Sequence, residues 1–151
     1  MIAITGDLDG STLRIAIVRA RFNKQVTDGL LEGALLALEK SGIADPLVVE
    51  VPGAFDLPLT ARRLADAGND AVVAIGAVIE GETDHYEHVA HRASEGLMRV
   101  MLDTGVPVTL GILTVRDPAH ALARSGPDDR NKGKEAAEAA VEMANLLRQL
   151  R

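Results

Sequence analysis

His85 closes the run Glu80-Gly81-Glu82-Thr83-Asp84-His85, and this run holds three kinds of chemistry. An imidazole carries protons near neutral pH. A glycine followed by a hydroxyl, just ahead of a helical pattern, offers free amides and an O–H to an anion. The positive end of a helix disfavours added positive charge, so a neutral imidazole fits that place. Rings are scarce: Phe22, Phe55 and Tyr86 are the only aromatic side chains, 2% of the chain. Each follows an apolar segment, in Arg21-Phe22-Asn23, in Pro52-Gly53-Ala54-Phe55-Asp56 and beside His85. Two readings fit them: faces on which a planar ligand stacks, or plugs closing the top of an aliphatic core. Arg124 and Lys132 flank a polar loop and offer a forked donor and a point charge to a phosphate, or else serve solubility.

Other chemistries find less support. His85, His88 and His91 recur at steps of three, but that spacing drifts around a helix and no carboxylate cluster completes a metal shell. The chain has no cysteine, which removes disulfides and thiol catalysis. Ser11, Ser41 and Ser94 lie in no nucleophile-elbow context. No phosphate-loop or dinucleotide G-x-G-x-x-G pattern occurs. The net charge is −6, with 22 acidic against 16 basic residues, so nucleic acid is a poor partner. No apolar run is long enough to span a membrane, and no export signal is read at the start, so cytoplasmic residence is expected.

The elements that must position these residues alternate. Strands are read at Leu13 to Val18, Leu47 to Val51, Ala71 to Ile79 and Val106 to Leu113, all mostly apolar. Helical spacing is read at Val26 to Lys40, Leu57 to Ala67, Asp84 to Asp103, Pro118 to Arg124 and in a last helix ending near Leu150. Ile2 to Thr5 reads as a loose strand or a tail. Four strands with helical crossovers predict an α/β domain over 1–151, its parallel sheet covered on both faces. Ligands of such sheets bind beyond the carboxyl ends of the strands, where the rings and His85 fall.

Taken in order, these segments resemble the lumazine synthase family of riboflavin biosynthesis. The matching pieces are Arg21-Phe22-Asn23, Val51-Pro52-Gly53-Ala54-Phe55, Gly76-Ala77-Val78-Ile79, Gly81-Glu82-Thr83 with His85, Gly111-Ile112-Leu113-Thr114, and Asn131-Lys132-Gly133 before Glu135-Ala136-Ala137. The resemblance implies a flavodoxin-like αβα sandwich assembled as pentamers. It implies condensation of 5-amino-6-(D-ribitylamino)uracil with 3,4-dihydroxy-2-butanone 4-phosphate, without metal or organic cofactor. By the same resemblance Phe22 and Asn23 meet the pyrimidine, and Ala54, Phe55 and Asp56 hold the ribityl chain. Ala77, Val78 and Ile79 line the ring site. Gly81, Glu82 and Thr83 seat the phosphate with Arg124 of a neighbouring subunit, and Leu110 and Lys132 lie against the same site. His85 moves the protons. A riboflavin synthase is the implied protein partner.

Four positions depart from the family's common pattern. Asp56 stands where glutamate is usual, Leu110 where an aromatic is frequent, Glu80 where a basic residue is common, and Val115-Arg116 replaces a more polar pair. The short loop between Gly126 and Asn131 resembles that of members forming sixty-subunit shells. The rival expectation is a non-catalytic relative that binds a flavin or lumazine, or only builds a shell.

Overall fold

The computed structural model describes all 151 residues. Its strands are β1 (Ile15–Ala20), β2 (Leu47–Val51), β3 (Ala71–Ile79) and β4 (Val108–Val115). Helices α1 (Lys24–Lys40), α2 (Leu57–Asp66), α3 (His85–Thr104), α4 (Pro118–Ala123) and α5 (Lys132–Gln149) connect and follow them. A single 3-10 turn, Ala54–Asp56, precedes α2. All three strand pairings are parallel, in the order β2-β1-β3-β4, which is a flavodoxin-like α/β arrangement. No helix is long and apolar enough to cross a membrane.

Side-chain alternation along the strands divides the interior into two layers. Ile15, Ile17, Ala71, Val73 and Ile75 face α1 and α5, where Leu30, Ala34, Leu38, Ala137 and Val141 meet them. Ala16, Val18, Val72 and Ala74 face α2 and α3, against Leu57, Ala61, Ala93 and Leu97. Both layers are aliphatic, so the sheet is held by close packing of small and branched side chains. A close approach joins α1 to α5: a Cβ at Gly133 would strike the Leu30 carbonyl, so only glycine fits there.

Strands β1 and β4 each begin and end two residues later than their sequence pattern suggests. At the start of β1, Arg14 is tied outside the strand: its N–H donates to the Asp70 carboxylate at 2.7 Å, and the Asp70 N–H donates to its carbonyl at 2.7 Å. At the end, a charge masks the continuation. Arg19 is only 3% exposed, and its guanidinium donates to Asp28 of α1 and, at 3.2 Å, to Glu50 of β2. Burial disfavours that charge, yet the two carboxylates outweigh burial and hold Arg19 above its ordinary range. Helix α1 begins two residues earlier than its apolar spacing, because Asn23 takes a left-handed turn (φ 60°) that lets the chain fold straight from β1 into the helix. The other elements lie within one or two residues of expectation. Ile2 to Thr5 forms neither helix nor strand in the isolated chain.

Hydrogen bonds from Arg19 and Lys24 hold the Asp28 carboxyl below its usual range. A lowered pKa stabilises the fold above the unfolded value near 4, and that contribution is lost as pH falls through the folded value. Asp28→Asn therefore costs about 1–2 kcal/mol at pH 7, because Arg19 keeps Glu50 as a partner while Asp28 is half-exposed. The cost shrinks below about pH 4. Urea unfolding of both proteins from pH 7 to 3 checks it; a pH-independent difference contradicts the assignment.

Candidate active site

Three strand ends open on one cavity of about 720 Å³. Phe22 follows β1. Pro52, Gly53, Ala54, Phe55 and Asp56 follow β2. Ala77, Val78 and Ile79 close β3, and Gly81, Thr83, His85, Tyr86, His88 and Val89 come from the loop and first turns of α3. The turn after β1 is fixed by backbone bonds: the Arg21 and Phe22 N–H groups donate to the Val51 and Pro52 carbonyls at 2.9 and 3.1 Å. Phe22 is 69% and Phe55 62% exposed, so neither ring plugs the core. Tyr86 is different, because it packs partly buried against the layer under α2 and α3.

The remaining expected residues are placed in two other ways. Asn23 does not line the cavity; its amide donates to the Ala77 carbonyl at 3.1 Å and ties the β1 turn to the end of β3. Glu82 does not line it either. Ile79, Gly81, Thr83 and His85 alternate along the wall, while Glu80, Glu82 and Asp84 fall between them and outside it. Leu110, Arg124 and Lys132 gather elsewhere, around a second concavity of about 520 Å³ along β4 that also holds Arg130 and Glu135. Strand β4 is one of the two edges of the sheet, β2 being the other, and Leu110 is exposed on it.

Local bonds set what each group can offer. The His85 N–H donates to the Thr83 hydroxyl oxygen at 3.3 Å, which leaves the Thr83 O–H free to donate to an anion. The Gly53 N–H donates to Oδ2 of Asp56 at 3.0 Å, leaving Oδ1 for a ligand hydroxyl. Arg124 donates to the His120 carbonyl at 3.0 Å, and the Lys132 ammonium lies 3.1 Å from Glu135. Glu80 and Arg116, two of the departures from the family pattern, are partners: Nε and Oε2 lie 3.3 Å apart. Tyr86, one of the three rings marked at the strand ends, and His88, weighed in the sequence only as part of a metal site, also line the wall. His88 sits one helical step beyond His85, and its Nε2 lies 3.4 Å from the Asp84 carboxylate. No three His, Asp or Glu side chains converge as a metal shell. The cavity therefore combines apolar ring faces, an imidazole, and a glycine–threonine seat.

Residues 12–148 match the family model for 6,7-dimethyl-8-ribityllumazine synthase. A protein of that name from Kineococcus radiotolerans is 50% identical over 144 residues, covering 94% of this chain and 89% of its own. One from Thermococcus kodakarensis is 46% identical over 149 residues, covering 98% and 95%. Another, from Stenotrophomonas maltophilia, is 51% identical over 149 residues and covers 96% of both chains. Matched along nearly its whole length, the chain belongs to the 6,7-dimethyl-8-ribityllumazine synthase family.

Proposed function

We propose that this protein is a transferase, acting as one domain over 1–151, that condenses 5-amino-6-(D-ribitylamino)uracil with 3,4-dihydroxy-2-butanone 4-phosphate. The products are 6,7-dimethyl-8-ribityllumazine, phosphate and water. The observation that carries the reading is a single cavity in which exposed rings, an imidazole and an anion seat stand together at the strand ends.

In this reading the pyrimidine stacks on Phe22 and lies against Ala77, Val78 and Ile79, with Asn23 holding that wall in place. The ribityl chain runs past Ala54 and Phe55 to Oδ1 of Asp56. The phosphate is received by the Gly81 backbone and the Thr83 hydroxyl, with Glu82 at its edge. The amine attacks the ketone, and loss of water gives an imine. Elimination then expels phosphate, the resulting enol tautomerises to a ketone, and the second amine attacks that carbonyl and closes the ring with loss of a second water. Each step moves a proton, and His85 stands beside the phosphate seat to take and return it. Binding both substrates in one cavity removes much of the entropic barrier, and no cofactor is required.

A phosphate dianion needs more positive charge than this cavity supplies. Arg124 and Lys132 lie at a separate concavity of the same chain, so a second copy brings them. We assign the assembly as pentamers, with Leu110 of the neighbour covering the ring site, and read the short loop from Pro127 to Arg130 as that of a sixty-subunit shell. The protein works in the cytoplasm, and riboflavin synthase is its partner as consumer of the product.

Mixing the protein with both substrates and following lumazine fluorescence tests the activity; formation no faster than the spontaneous background points instead to a relative that only binds. His85→Ala is expected to lower kcat on the order of 100-fold while sedimentation shows an unchanged assembly. Phe22→Ala raises the KM for the pyrimidine about tenfold through lost stacking, with no loss of thermal stability because the ring is exposed. An unaltered KM would remove Phe22 from the site. Sedimentation velocity separates pentamer from shell, and a monomer with full activity would contradict the shared site.

A further inference from the structure

The segment that forms the phosphate seat also carries three carboxylates, Glu80, Glu82 and Asp84. Each opposes a phosphate bound beside Gly81 and Thr83, since like charges several ångströms apart still repel near a protein surface. Asp84 faces His88, whose charge depends on protonation, and Glu82 has no ion-pair partner. Glu80 alone meets a permanent cation. Arg116 follows β4 directly, and its Nε lies 3.3 Å from Oε2 of Glu80.

The sheet brings this pair together. Ile79 and Val115 are the last paired residues of β3 and β4, and the Glu80 N–H continues the ladder by donating to the Val115 carbonyl at 2.9 Å. Glu80 and Arg116 are thus the next residues in register. Their side chains are 43% and 86% exposed, and an exposed pair of this kind adds little to stability. Folding gives no strong reason for it. Its location does: Glu80 adjoins Gly81, where an unpaired carboxylate would act on the anion seat.

We propose that Arg116 is a positioning and charge-compensating residue for phosphate binding: it pairs with Glu80, cancels that charge and holds the carboxylate away from Gly81. This rests on the reading that Gly81 and Thr83 receive the substrate phosphate. Arg116 acts through Glu80 and makes no substrate contact.

Steady-state kinetics with each substrate varied in turn separate this role from others, using the wild type, Arg116→Ala, Glu80→Gln and the double variant. Arg116→Ala raises the KM for the butanone phosphate about three- to tenfold, while the KM for the pyrimidine stays within about twofold. Inorganic phosphate, used as a competitive inhibitor, weakens in parallel. The melting temperature stays within about 2 °C, as expected of an exposed pair. The double variant returns the phosphate-substrate KM to within about twofold of wild type, because no carboxylate remains to be cancelled. An unchanged KM in Arg116→Ala overturns the proposal. A double variant as impaired as Arg116→Ala also overturns it and assigns Arg116 to the phosphate itself. Equal rises in both KM values with a lowered melting temperature reduce the pair to a structural brace. If the wild type forms no product, the synthase reading fails separately; inorganic phosphate binding to wild type and Arg116→Ala, measured by calorimetry, then decides whether the seat and its compensation exist.

Discussion

A parallel sheet covered by helices on both faces has no room for polar side chains along its middle, so chemistry is confined to its ends. In this protein the central strands β1 and β3 meet aliphatic layers on both sides, with Ile17, Val18, Val72, Val73 and Ile75 fully shielded from water. The connections between successive strands return the chain to the same starting edge, which delivers all four carboxyl ends to the other. Every wall of the cavity follows from this. Its ring faces stand on the first turns after β1 and β2, its floor is the end of β3, and its imidazole opens α3. Arg19 marks the limit of the rule: a charge is admitted near the strand ends only where Asp28 and Glu50 both receive it.

The same confinement separates charges by sign. The segment after β3 is acidic, while Arg124, Arg130 and Lys132 collect beside the edge strand β4. These are two different surfaces of one chain, so bringing them together across copies makes a head-to-tail contact rather than a self-matching one. Such a contact forms a ring where its rotation closes and an open filament where it does not. The pentamer proposed above is a closed solution of this kind, in which every cavity receives its neighbour's cations. An open β4 edge with an exposed Leu110 is a surface that such a contact would cover.

Much of this was legible in the sequence because the signals are local. Apolar runs bounded by Pro-Gly and Ser-Gly placed the strands and helices, and scarce rings beside His85 marked the strand ends. What stayed hidden depends on distance across the sheet. Arg19 reads as the end of a strand until its two partners are known. Asn23 reads as a ligand contact, but its left-handed turn and its bond to the Ala77 carbonyl are visible only in space. Glu82 cannot be separated from Thr83 by type, and alternation along the wall leaves it outside the cavity. Glu80 and Arg116 looked like two unrelated departures, and only the β3–β4 register shows them to be one pair.

Asp56 shows how a departure can be compensated by geometry. One methylene shorter than glutamate, its side chain turns back on its own loop, where Oδ2 accepts the Gly53 N–H at 3.0 Å while the Asp56 N–H donates to the Gly53 carbonyl at 3.0 Å. That reciprocal bond caps the 3-10 turn on which Phe55 stands. The carboxylate is thus fixed before any ligand arrives, and Oδ1 presents a defined acceptor without the loss of side-chain freedom that a longer residue would suffer on binding. Reach is exchanged for order: under the proposed function a ribityl hydroxyl comes to the carboxylate, and the turn that sets the carboxylate also sets the neighbouring ring. Under the proposed function, the two groups that flank the ribityl chain, Phe55 and Asp56, are therefore set by one and the same turn.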